Sequence, residues 1–189
     1  MGVEIRAVGP SEYHRAGQIV VAAYEAIPGG TTSEGYAAEL ADVAARVGGA
    51  EVLVAVVEET LLGCVTFVPG PSSPWAEGLE DKEAAIRMLG VDPSSQQRGV
   101  GRALVEACLQ RARSLGREAV FLHTTPWMTT AHRLYERTGF IRVPERDWRP
   151  EPSVPLLAYR RPLGPSTAPG TAPAAPAGRA SCAGPAAPA

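Results

Sequence analysis

Gln96-Gln97-Arg98-Gly99-Val100-Gly101-Arg102 lies between an apolar run, Ile86 to Val91, and a stretch in which Leu104, Val105, Cys108, Leu109 and Ala112 recur at helical spacing. That order spells a strand, a glycine turn and a helix N-terminus. The first turn of a helix carries unpaired backbone N–H groups at the positive end of the macrodipole, so a turn that admits a phosphate there makes an anion site. Gly99 and Gly101 lack a Cβ and permit close approach, while Arg98 and Arg102 add charge at the rim. A P-loop would need Lys and then Ser or Thr after the last glycine; Arg102-Ala103 stands there instead. A dinucleotide fingerprint would need a third glycine and an acidic residue after the next strand, and neither is present.

The remaining pattern, Gln/Arg-x-x-Gly-x-Gly/Ala, resembles the pyrophosphate loop of the GNAT family of N-acetyltransferases. Met88-Leu89-Gly90-Val91-Asp92-Pro93 is similar to the strand that leads into that loop. Ala131-His132-Arg133-Leu134-Tyr135-Glu136-Arg137-Thr138-Gly139-Phe140 is similar to the family's later helix and turn. The resemblance implies an α/β fold with a mixed, mostly antiparallel central sheet flanked by about four helices. It implies acetyl-CoA (coenzyme A) as cofactor, held by Gln96, Gln97, Arg98, Gly99, Val100, Gly101 and Arg102. The acetyl group would lie beside Leu89, Gly90 and Val91, its carbonyl oxygen on the N–H of Leu89 or Val91. Gly90 suits a bulge that frees such a group from the ladder, or it simply relieves crowding.

Direct attack of an amine on the thioester needs positioning, oxyanion stabilisation, a base and an acid. The resemblance places Tyr135 at the general-acid position, and a phenol stays protonated at neutral pH. Two positions depart from the family pattern. Met128 stands where many relatives have a cofactor-binding Asn, and Ala85 where many carry a Glu base. Glu83, of the same strand parity, and His123, with a proton affinity suited to transfer, are the remaining base candidates. For the acceptor, the resemblance points to the segments Tyr24 to Tyr36 and Asp147 to Val154. Tyr36, Trp127, Asp147 and Trp148, with Trp75 and Glu151 near them in kind, can hold a cationic amine by ring face and charge.

Composition bounds the rest. At 189 residues, 45% hydrophobic and 20% charged, the chain supports one well-buried core. A net charge of −2 offers no global field for nucleic acid or an anionic membrane. No signal-peptide core or spanning run is visible, so a cytoplasmic protein is expected, alone or as a homodimer, with a small-molecule or protein amine as its acceptor. Cys64, Cys108 and Cys182 have no metal-ligand or disulfide-framework spacing, and no metal is expected.

Periodicity and breakers predict strands at Val3 to Val8, Glu51 to Glu58, Gly63 to Val68, Ala119 to Thr124, Ile141 to Arg146 and Leu156 to Arg161. Helices are expected from Pro10 through Tyr24, from Ser33 to Val47, to Ser114 after the glycine turn, and from Thr129 to Thr138. Residues 1–163 form the acetyltransferase-like domain. From Gly164 to Ala189 the chain is Pro, Ala, Gly and Ser with one charge, Arg179, a composition expected to stay disordered. The expected function is N-acetyl transfer from acetyl-CoA; the alternative is an idle acyl-CoA-binding sensor or scaffold. Removing residues 164–189 should leave the melting temperature and turnover on small amines essentially unchanged. A substantial fall in melting temperature would show that the tail docks.

Overall fold

The computed structural model describes residues 2–29 and 33–164; the tail expected beyond Gly164 lies outside them. Along the chain run β1 (Glu4–Ala7), α1 (Tyr13–Glu25), α2 (Glu34–Ala41), α3 (Val43–Val47), β2 (Glu51–Val57), β3 (Thr60–Val68) and β4 (Glu83–Val91). They are followed by α4 (Val100–Ser114), β5 (Ala119–Thr124), α5 (Thr129–Arg137), β6 (Ile141–Arg142), β7 (Trp148–Glu151) and β8 (Val154–Pro162). The strands order as β1-β2-β3-β4-β5-β8-β6, with β7 paired to β8. Every pairing is antiparallel except β4 with β5. This is the mixed, mostly antiparallel α/β sheet expected from the sequence. No helix among the described residues is long and apolar enough to cross a membrane.

Helices cover both faces. The five α4 positions picked out by spacing, Leu104, Val105, Cys108, Leu109 and Ala112, are all buried, and they pack with Leu53, Phe67, Ile86, Leu122 and Tyr135. On the opposite face α1 contributes Ala16, Ile19 and Val20, which meet Leu40, Val43, Val54 and Met88.

The structure differs from the sequence reading at four places, each with a local cause. The helix expected over Ser33 to Val47 breaks at Asp42, whose side chain accepts the Ala45 N–H at 2.9 Å and starts α3 as a cap. The strand expected over Ile141 to Arg146 stops at Arg142, because Pro144 lacks an N–H for the ladder and opens a 3-10 turn, Pro144–Arg146. The segment Asp147 to Val154 is not all loop: β7 folds back on β8 as a hairpin. The bulge expected at Gly90 lies instead at Met88 and Leu89, two residues that stand between the pairs Cys64↔Gly90 and Thr66↔Arg87, where β3 has only Val65. Met88 is left-handed there, with φ of 50°. Gly90 serves packing, since a Cβ on it would lie 2.8 Å from the Cα of Val20 on α1.

Two buried charges tie the layers. Arg46 is fully buried; its Nη1 donates to the carbonyls of Glu39 and Leu40 at the end of α2, each at 2.9 Å, and lies 3.2 Å from the Met88 sulfur. Glu83 is 1% exposed. Its Oε1 accepts from Arg160 Nε at 2.7 Å and Arg146 Nη1 at 3.1 Å, and its Oε2 from Arg146 Nη2 at 2.9 Å and the Glu80 N–H at 3.2 Å. Burial alone would push this carboxyl up, but the bonds from Arg146, Arg160 and Glu80 together hold it below the ordinary range. Its stabilisation is present above the unfolded carboxyl's pKa and lost as pH falls through the lower folded value. Glu83→Gln should therefore cost about 3 kcal/mol at neutral pH, where it strands two arginines. The gap between wild type and variant should close in acid, as melts across a pH series would read; a gap independent of pH would show that the ion triad is not its source.

Candidate active site

The parallel ladder between β4 and β5 is three residues long, Glu83 to Ala85 against Ala119 to Phe121. Past it, β4 runs on to Val91 and β5 to Thr124 with no pairing between them, and a cleft of about 870 Å³ opens through the sheet. Along this part of β4, backbone groups that do not face β3 face the cleft, so Leu89 and Val91, which line it, sit on an edge with hydrogen bonds to give.

One mouth of the cleft is formed by the glycine turn and the helices behind it. Gln96, Gln97, Gly99, Val100, Gly101 and Arg102 line it, facing Ala131, Leu134 and Thr138 on and just after α5. Gln97 and Gly99 are both left-handed, with φ of 65° and 80°, which turns the chain sharply into α4. No side chain caps α4, a helix of 15 residues, so its leading N–H groups stay unpaired within the fold. A Cβ on Gly101 would meet Leu134 Cδ2 at 3.3 Å and Val91 Cγ2 at 3.6 Å, so the bare glycine keeps open the space between α4, α5 and β4. An uncapped helix start, a cradle that a side chain would fill and an exposed strand edge together suit a diphosphate followed by an extended amide chain, the chemistry of coenzyme A. Arg98 is solvent-exposed at the rim and does not line the cleft, and Gly90 faces α1.

The other mouth lies on the α1 side of the sheet, where Tyr24, Arg87 and His123 line the wall. Tyr135 reaches the cleft from α5 while remaining only 6% exposed, its ring 5.7 Å from that of Phe140 and 6.3 Å from that of Tyr159. Packing and access thus coexist in this residue. Burial pushes its phenol well above the ordinary tyrosine range. His123 Nε2 stands 3.2 Å from the carbonyl oxygen of Arg146, an acceptor only, so Nε2 carries a proton. Burial lowers its proton affinity, the ring is neutral at pH 7, and Nδ1 is left as its acceptor.

Several expected residues stand elsewhere. Glu83 belongs to the closed end of the ladder, where its oxygens are occupied by Arg146 and Arg160; the strand does extend to it, but the ion triad removes it from the candidate bases. Asp147 is paired to Arg142 at 2.8 Å and accepts the Ala158 N–H at 2.8 Å, and Trp148 touches the site only through the His123 ring, 6.2 Å away. Neither lines the cleft, because β7 carries that segment away in its hairpin. Tyr36 stands behind Tyr24, ring edge to ring face at 6.0 Å. Met128, the position of the family's Asn, lines the cleft as an apolar contact. Sequence reasoning missed Arg87, Arg133 and Arg137 as cleft residues; the last two were readable as an i, i+4 arginine pair on the helix of Tyr135.

Comparison with known proteins agrees with this geometry. Residues 20–140 match the family described as Acetyltransferase (GNAT) family. A mycothiol acetyltransferase of Geodermatophilus obscurus is 40% identical over 74 residues, 39% of this chain and 22% of that protein. The chain thus spans under a quarter of the length of that relative. Among solved structures, an acetyltransferase of the GNAT family from Staphylococcus aureus Mu50 superposes with a TM-score of 0.69 at 14% identity, covering 86% of this chain and 99% of the other. The PaiA N-acetyltransferase of Thermoplasma acidophilum, solved in complex with coenzyme A, gives 0.67 at 14% identity, over 86% and 100%. At such identity these two speak to the fold.

Gly101→Val should leave the fold intact and weaken coenzyme A binding by about 10²-fold or more, because branched methyls fill the cradle. Calorimetry on a variant with a native melting curve checks this; unchanged affinity would dismantle the cradle.

Proposed function

The chain belongs to the acetyltransferase (GNAT) family, and from that premise we propose that it transfers an acetyl group from acetyl-CoA to a primary amine by direct attack. The observation that carries this reading is the parting of β4 from β5 beside an uncapped helix N-terminus, one cleft with an anion site at one mouth and titratable groups at the other. When bound, acetyl-CoA supplies an activated thioester carbonyl and a thiolate leaving group.

The residues divide the remaining work. The leading N–H groups of α4 hold the pyrophosphate. The edge of β4 at Leu89 and Val91 offers an N–H to the carbonyl oxygen, where negative charge develops as the amine attacks. His123 takes the proton of the ammonium on Nδ1, its ring being neutral and fixed by the bond to Arg146. Tyr135 holds a proton for the departing sulfur. The burial that keeps the phenol protonated also raises the thiolate's proton affinity, so donor and acceptor shift together. Neither cysteine among the described residues suits a covalent acetyl-enzyme: Cys64 and Cys108 are buried, and burial lifts the Cys64 thiol to about 11 and Cys108 further.

Thiol release with a panel of amines tests the proposal, because an idle cofactor-binding domain would bind acetyl-CoA without turnover. Tyr135→Phe should lower kcat by about 10²-fold with little change in coenzyme A affinity. An unchanged kcat where chemistry limits the rate would return Tyr135 to packing alone. The acid limb of kcat/KM assigned to His123 should lie below the ordinary histidine range and vanish in His123→Ala. Ping-pong kinetics would overturn direct transfer.

A further inference from the structure

The charge of the cleft is one-sided. Arg87, Arg102, Arg133 and Arg137 line it, and among the described residues no Asp or Glu does. Three of these arginines rise from α4 and α5. Arg87, on β4, does not. It stands at the other mouth with Tyr24 and His123, its side chain 21% exposed. Its Nη1 donates to the Trp75 carbonyl at 3.0 Å, and its Nη2 lies 3.0 Å from Glu77, a carboxylate 52% exposed on the loop before β4. A pair with so exposed a partner is weak and readily exchanged, and a guanidinium has five N–H donors to share.

We propose that the acceptor is a small primary amine that also carries a carboxylate, docked on Arg87, and not a diamine or a lysine side chain; this rests on the acetyl-transfer reading above. A planar guanidinium fork matches a carboxylate with two parallel bonds, whereas a second cationic group on the acceptor would meet the Arg87 guanidinium with only the exposed Glu77 to offset it. Tyr24, whose carbonyl accepts the Ile27 N–H at 3.2 Å, lines the same mouth, so the rest of the acceptor is apolar or aromatic.

The test uses the full chain, acetyl-CoA and matched pairs: L-phenylalanine with 2-phenylethylamine, L-leucine with 3-methylbutylamine, and 1,4-diaminobutane as the cationic probe. For at least one pair, kcat/KM should favour the carboxylate-bearing member by about 10²-fold, the scale of a charge-assisted bidentate contact. In Arg87→Gln that ratio should collapse toward one, and Arg87→Lys should restore part of it. A wild-type preference for the decarboxylated amines or for diaminobutane would overturn the carboxylate, and a ratio that survives in folded Arg87→Gln would overturn the role of Arg87. Calorimetry of the same amines into coenzyme A-loaded protein separates this inference from the activity beneath it. Binding of the amino acid that is lost in Arg87→Gln, with no acetyl transfer, would uphold the carboxylate site and sink the transfer reaction. Transfer without carboxylate preference would do the reverse, and neither binding nor transfer for any carboxylate-bearing amine would sink the inference.

Discussion

The carboxylate of Glu83 ties β4 to β8 across the width of β5, because Arg160 on β8 and Arg146 in the turn after β6 both reach it from beyond that strand. It sits on the first rung of the three-rung parallel ladder, so it pins the closed end of the sheet. From that point the strands diverge. The bulge at Met88 and Leu89 re-aims β4, α1 approaches closely enough to demand a glycine at position 90, and Arg46 holds the Met88 sulfur from behind. Each feature of the site follows from this one-ended closure: the cleft, the free strand edge, and the access of α5 to both.

Burial acts on two groups of the cleft, Tyr135 and His123, in opposite senses and leaves both uncharged. Tyr135 is raised and His123 lowered, so at neutral pH the cleft holds a phenol and a neutral imidazole. Formal charge is kept to the two mouths, where the arginines stand. Such a layout leaves a poorly solvated, weakly charged stretch between the two mouths and places attraction for anions at its ends.

Local pattern carried much of this into the sequence. The apolar spacing of α4, the strand before the glycine turn and the helix of Tyr135 all depend on neighbours a few residues apart, and they stand where the periodicity put them. The destination of Glu83 depends on arginines 63 and 77 residues away, and nothing near Glu83 distinguishes a paired carboxylate from a solvated one. Asp147 is likewise held by partners that its immediate neighbours do not announce. Its charge suited an amine pocket, but Arg142 lies five residues before it and β8 supplies the N–H of Ala158. The bulge was sensed one or two residues late, because a glycine in a strand signals either irregular pairing or close approach, and here the approach of α1 placed it.

Sheets with bare edges ordinarily recruit strands from other molecules, and proteins keep exposed edges short or covered for that reason. Here the outer edges are short, four residues in β1, two in β6 and four in β7. The longest unpaired edge, that of β4 past its ladder, faces the three residues of β5 past the same ladder inside the molecule, walled by side chains of α1, α4 and α5. A foreign strand cannot lie along it in register, while a thin, flexible chain with amide groups of its own can. The fold thus hides its most adhesive backbone from its own kind and leaves it open to a guest of a different shape.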